Sequence, residues 1–340
     1  MIIILPTSIK TLSIAGVIVL GTLATAASAQ NPTPSALQHW SAADLTSGAP
    51  RLLLTTPTHL FKLIRVEASV AESHEGTSDV FFVESGNGSI LAGGEIEGAT
   101  PLPDMPGELR GRSIKGGKSY ELKPGAMIDI PPSTPYMLQK GSMGLTLVQL
   151  RINVGMHPWS IVQTQQTTLP VSPGRPRVTV PLNTDQGTVV YWSAESLQYA
   201  HETLSKTAAN GGSVADPRDL VSIPATRTHA YNFMHRIMGK NGQPPGVEFH
   251  GGNTDIYFVI GGSATLMTGG EIKNREHIPN RPLEERGTLV ENGKGYKMQA
   301  GDVLNMPPSV PHQSLPDPAG YTYMLIKVNT GTYPWALAEK

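Results

Sequence analysis

The chain has no cysteine. That excludes disulfides, thiolate metal ligands, a cysteine nucleophile and a lipoprotein anchor. Neither charge is in surplus: 26 lysines and arginines meet 27 aspartates and glutamates, for a net charge of −1. A nucleic-acid partner would call for a basic face, so that class is set aside. There is no G-x-S-x-G elbow, no P-loop and no dinucleotide fingerprint in a strand–helix context. Long hydrophobic runs are nearly absent too. The exception is "TLSIAGVIVLGTLATAA", which follows Lys10 and ends in Ala27-Ser28-Ala29. It predicts a signal peptide over residues 1–29, cut after Ala29, and a periplasmic or secreted protein with no membrane contact after cleavage. The run is short for a span, although the "MIIIL" start is untidy for a charged n-region, so an uncleaved anchor is the alternative.

What is plentiful is glycine (36) and proline (29). Many short strands joined by tight turns account for that better than long helices. The strands come in two sets. "AESHEGTSDVFFVESG" (71–86) matches "VEFHGGNTDIYFVIGG" (247–262) at an offset of 176. The same offset carries Gly125 onto Gly301, "PPS" at 131–133 onto "PPS" at 307–309, and Trp159 onto Trp335. Without a gap, 30 of the 88 positions from 72 to 159 are identical to their partners. Ordinary residue usage would give roughly a fifth of that, so the domain is duplicated. A weaker echo precedes each copy: "HWSAADL" (39–45) resembles "YWSAESL" (191–197). A serine there can cap a short helix, with Asp44 or Ser196 three residues on. The second helix continues with Leu197, Ala200 and Leu204 on one face and stops near Asn210-Gly211.

Within each copy apolar and polar residues alternate with a period near two, around Gly-containing turns. The expected architecture is all-β: two barrels or sandwiches in tandem, each preceded by a short helix. The first domain spans 38–160 and the second 188–340, with a linker at 161–187 rich in Pro, Thr and Gln.

The motif spacing resembles the cupin family. That family's first motif is H-x-H, three or four residues, E, six residues, G. Here Glu248-x-His250 is followed by four residues, Asp255, six residues and Gly262. The second motif is G, five residues, P-x-G, two residues, H. Here Gly301, Pro307, Ser309 and His312 fit it, with serine for the second glycine. The resemblance covers both repeats and implies a bicupin of two jelly rolls. It departs from the family at Glu248, which stands for the first histidine, and at Asp255, which stands for the glutamate. The first copy shares these changes as Glu72 and Asp79 around His74, and its second motif ends in Tyr136 rather than histidine.

Glu248 and His250 are two apart, hence on one side of a strand. With His312 they can hold one divalent transition metal (Mn, Fe, Ni or Zn), leaving positions open for substrate. Asp255 is a further ligand or simply an acceptor of turn amides. Glu248 or Asp255, where not metal-bound, would serve as general base. The bland alternative is a rim of hydrogen-bonding groups with no metal. In the first copy, Glu72, His74, Asp79 and Tyr136 form a second pocket that is degenerate, substrate-binding or structural. Tyrosine ligates poorly at neutral pH because its phenol must lose a proton. Tyr136 and His312 are also an inverted pair with His157 and Tyr333. Arg110 aligns with Arg286 as loop charge, unless near a pocket mouth, where it could bind a carboxylate.

The expectation is an exported, metal-dependent enzyme acting on a small oxygen-rich molecule in the C-terminal barrel. Dioxygenase, decarboxylase, isomerase and lyase chemistry are all implied by the resemblance. The rival is a non-enzymatic bicupin that binds a sugar or other small molecule. Either could form a homo-oligomer.

Overall fold

The computed structural model describes residues 36–103, 107–154, 188–209, 226, 228–239, 241–279 and 283–330. The signal peptide, the linker, His157, Trp159, Tyr333 and Trp335 lie outside these residues. Nearly all the described elements are antiparallel strands, joined by two helices, α1 (Ala42–Ser47) and α2 (Ala194–Ala209). The helices begin as the capping pattern predicts. Asp44 N donates to Ser41 Oγ at 3.2 Å, and Ser196 N donates to Ser193 Oγ at 3.0 Å. Leu197, Ala200 and Leu204 form the buried face of α2.

The strands make two large sheets that fit two jelly rolls, one of ten strands and one of nine. Each is built on a pair of long strands: Thr77–Ala92 against Tyr136–Asn153, and Asn253–Thr268 against His312–Asn329. These strands have two buried faces, which explains runs as apolar as "DVFFV" and "DIYFV". Phe81 and Val83 point into the N-terminal barrel, and Tyr257 and Val259 into the C-terminal one. The intervening Val80, Phe82, Ile256 and Phe258 form a third core between the barrels. There Phe82 meets Phe258, its repeat partner, with ring centroids 5.2 Å apart. The long strands bend at glycines. Gly86 and Gly262 have φ of 81° and 74°, and a Cβ on either would lie 2.2 Å from a carbonyl oxygen of the facing strand. No side chain fits that corner.

The sequence units and the sheets do not coincide at their edges. Strand Gln38–Trp40, which opens the first unit, pairs with Val303–Met306 of the second barrel. Strand Val190–Trp192, which opens the second unit, pairs with Met127–Ile130 of the first. The exchange is reinforced by side chains. Asp302 accepts from Ala42 N at 2.9 Å and bonds His39 Nε2 at 2.8 Å. Two buried histidines cross the interface as well: His59 Nε2 lies 2.9 Å from Asn305 Oδ1, and His229 Nε2 lies 3.4 Å from Asp129 Oδ2.

Burial drives the His59 pKa down to about 4, against a smaller upward pull from its bond to Asn305. The folded state therefore refuses a proton that the unfolded chain accepts near pH 6.5. Stability from this group is complete above pH 6.5 and is lost as pH falls toward 4. The expected loss is up to about 3 kcal/mol. Urea unfolding at pH 7.5 and 4.5 checks this: His59→Gln should lose less stability on acidification than the parent. An equal loss in both would show that His59 does not drive it.

Candidate metal centre

Strand Val247–His250 places Glu248 and His250 on the same side, and its Glu248 is in register with His312 of the next strand. The Pro-Pro-Ser turn makes this meeting possible. Ser309 has φ of 64°, the left-handed conformation that the family's glycine would supply, and its N–H donates to His250 O at 2.8 Å. The turn is thus tied to one histidine three residues before it delivers the other. The rings of His250 and His312 lie 5.5 Å apart. One ligand atom from each of Glu248, His250 and His312 lies within 4.8 Å of the others, a geometry able to hold a metal ion.

The protonation states suit a cation. His312 Nδ1 lies 3.0 Å from Val310 O. A carbonyl only accepts, so Nδ1 carries a proton and Nε2 is the nitrogen left to offer a lone pair. That Nε2 is buried with no hydrogen-bond partner among the described residues, and so are both ring nitrogens of His250. Burial, then the charge of Lys327, pushes the His250 pKa down to about 4 against the pull of Asp255 and Glu248. It is a neutral imidazole at pH 7. Burial would raise the Glu248 carboxyl, but Arg236, His250 and His312 together hold it well below the usual range. Arg236 donates to Glu248 Oε1 at 3.1 Å and to Tyr323 OH at 3.2 Å.

Asp255 joins the cluster in space but is otherwise engaged. Its oxygens accept from Lys327 Nζ at 2.7 and 2.9 Å and from Asn253 Nδ2 at 2.6 Å. It is 3.6 Å from His250 Nε2 and 3.8 Å from His312 Nε2. A buried carboxylate so neutralised is a charge partner behind the histidines.

No family model and no curated protein matches the sequence. Solved structures do. A salicylate 1,2-dioxygenase from Pseudaminobacter salicylatoxidans aligns over 88% of this chain and 86% of its own, with a TM-score of 0.50 and 12% identity. A cupin 2 conserved barrel domain protein from Leptotrichia buccalis aligns over 87% and 98%, with a TM-score of 0.46 and 10% identity. An oxalate decarboxylase from Lactobacillus farciminis aligns over 88% of each chain, with a TM-score of 0.39 and 11% identity. The fold is that of a bicupin. The two jelly rolls expected from the repeat are therefore present, and the salicylate 1,2-dioxygenase is among the structures that share the fold.

The bicupin's two barrels differ where their motifs meet. Tyr136 OH donates to Asp79 Oδ2 at 3.0 Å, so it must receive the proton of His74 Nε2, also 3.0 Å away. His74 Nδ1 bonds the Glu108 carboxylate. Both nitrogens of His74 are thus donors, and the ring is an imidazolium. Its pKa agrees: burial and Arg151 oppose the charge, but Glu108, Glu72 and Asp79 outweigh them and raise it. Arg151 closes the set by donating to both Asp79 oxygens at 2.6 and 2.9 Å, and Arg110 donates to Glu72 Oε1 at 2.9 Å. The four residues expected in this pocket are together, but their polar atoms hold one another.

Several residues of these clusters were not singled out by the motif pattern. Arg151 and Lys327 align at the repeat offset, as do Glu108 and Glu284. A basic residue at the same place in two apolar strands was an available signal, since a strand that alternates inward must bury it. Arg236 had no such signal.

Proposed function

We propose that this bicupin is an exported metal-dependent enzyme acting on a small oxygen-rich organic molecule in its C-terminal barrel. One observation carries the reading: three buried imidazole nitrogens, of His250 and His312, have no hydrogen-bond partner among the described residues. An unmet buried polar atom costs about 1–3 kcal/mol, so such a group of them calls for a partner. A divalent cation, Mn, Fe, Ni or Zn, fits the two imidazoles and the ionised Glu248. Glu248, His250 and His312 would hold it. When bound, it would supply Lewis acidity or redox chemistry to a coordinated oxygen.

The chain's own groups favour an oxygen-bearing substrate. The C-terminal barrel has Tyr257, Tyr321 and Tyr323 where the N-terminal barrel has Phe81, Leu145 and Leu147. Burial raises all three phenols, so they stay protonated. Tyr321 OH is 2.5 Å from Ser314 Oγ. Arg236 orients Glu248 and keeps it ionised. Asp255, held low by Lys327 against its burial, is a weak base and serves as a fixed counter-charge to the histidines. Glu248 is held low too, by Arg236 and the two histidines, but it is the partly exposed carboxylate of the two and so the one a substrate could reach. Dioxygenase, decarboxylase, isomerase and lyase reactions are all compatible with this set.

Metal analysis of the purified mature protein tests the reading. About one transition metal per chain is expected, either as isolated or after adding Mn, Fe, Ni or Zn. No stoichiometric metal under any of these conditions would sink it and leave the non-catalytic binding protein.

A further inference from the structure

A second site lies away from the histidines, between the barrels. There the structure leaves a cleft of about 530 Å³. Most of its walls come in repeat-related pairs: Val83 with Val259, Gly125 with Gly301, and Ala42 of α1 with Ala194 of α2. The pairs are not all alike: Pro124 corresponds to Ala300 and Thr46 to Gln198, and one pair differs in charge. Glu84 lines the cleft from the N-terminal barrel, and the matching position of the C-terminal barrel is Ile260.

Glu84 is 8% exposed, and its Oε1 has no hydrogen-bond partner among the described residues. The surroundings do not neutralise it. No lysine or arginine is among the described residues that line the cleft. Glu195, on the rim, adds a second carboxylate, although it is paired with Lys123 at 3.1 Å. Burial, and then the charge of Asp302, pushes the Glu84 carboxyl up to about 8. An acid in this setting lacks a positive partner, and the cleft has room for one beside it. Apart from Thr46 and Gln198 the other walls are apolar, with Phe82, Val259, Ile260 and Leu197 prominent.

We propose that the inter-barrel cleft binds a small organic ammonium compound, its apolar body between Phe82 and Ile260 and its cationic head on the Glu84 carboxylate. Binding is noncovalent: the carboxyl gives up its proton to solvent and pairs with the ammonium. The site is separate from the histidine cluster and does not depend on what that cluster does.

Calorimetric titration of the full mature protein with 2-phenylethylamine and with 2-phenylethanol tests it. These probes share an apolar body and differ in the head group. The amine should bind one per chain with a Kd at least 10-fold below that of the alcohol. Glu84→Gln should bring the amine to the level of the alcohol. Thr46→Trp, an exposed position on the cleft wall, should block both without touching the core. No amine binding, equal affinity of the parent for the two probes, or amine binding that keeps its parent affinity after either substitution would overturn the proposal. The Thr46 variant keeps the test decisive should Glu84→Gln fail to fold.

Discussion

His312→Ala should lower transition-metal affinity on the order of 100-fold or more, while Tyr136→Ala should leave metal content unchanged. The asymmetry follows from proton positions. In the C-terminal barrel the His312 Nδ1 proton is used on Val310 O, so Nε2 offers a lone pair toward His250 and Glu248. Removing it leaves one imidazole and one carboxylate, too few to hold such an ion against a chelator. In the N-terminal barrel the tyrosine hydroxyl occupies the corresponding place, and His74 spends both nitrogens on Tyr136 and Glu108. Nothing there is left to bind an ion that Tyr136→Ala could release. Metal content by mass spectrometry, after equal loading and challenge with a graded chelator, reads both variants. If His312→Ala keeps its metal, or Tyr136→Ala loses it, the assignment of the centre to the C-terminal barrel fails.

The second large effect concerns stability. Arg151→Met should destabilise the protein by about 3–5 kcal/mol, because it strands a buried carboxylate. Asp79 is 1% exposed and takes two bonds from the guanidinium. Without Arg151 the close partners left to balance it would be Tyr136 OH and the imidazolium of His74. Arg151→Lys restores the charge and copies the Lys327–Asp255 arrangement of the other barrel, so it should cost much less. For a chain of this size the methionine variant corresponds to a drop in Tm of roughly 10 °C. Chemical denaturation of the three proteins gives the ranking. A methionine variant within about 1 kcal/mol of the parent would mean that Asp79 is solvated by some other route.

Much of this molecule could be read before any coordinates. The offset of 176 revealed the duplication, and strand alternation placed Glu248 beside His250. The motif spacing reached across the chain to His312. Ser309 looked like a departure from the family, yet its backbone adopts the conformation of the glycine it replaces. What stayed hidden has physical reasons. The exchanged strands are three residues long and pair with partners far along the chain, so no local pattern announces them. Arg236 is invisible to repeat comparison because the equivalent strand of the first barrel reaches Val66 at that point. That Asp255 is tied up by Lys327 depends on two strands meeting in one register, which spacing alone does not specify.

The exchange of leading strands makes the two barrels thermodynamically one body. Leu37, from the start of the chain, is buried in the C-terminal core, while Val189 and Tyr191 pack against the N-terminal one. Unfolding either barrel therefore strips an edge from the other. A cation gripped by the C-terminal histidines stabilises the native state of the whole chain by RT ln(1 + [L]/Kd). On the proposed reading, a barrel that binds no metal would thus be held folded by its twin's ligand.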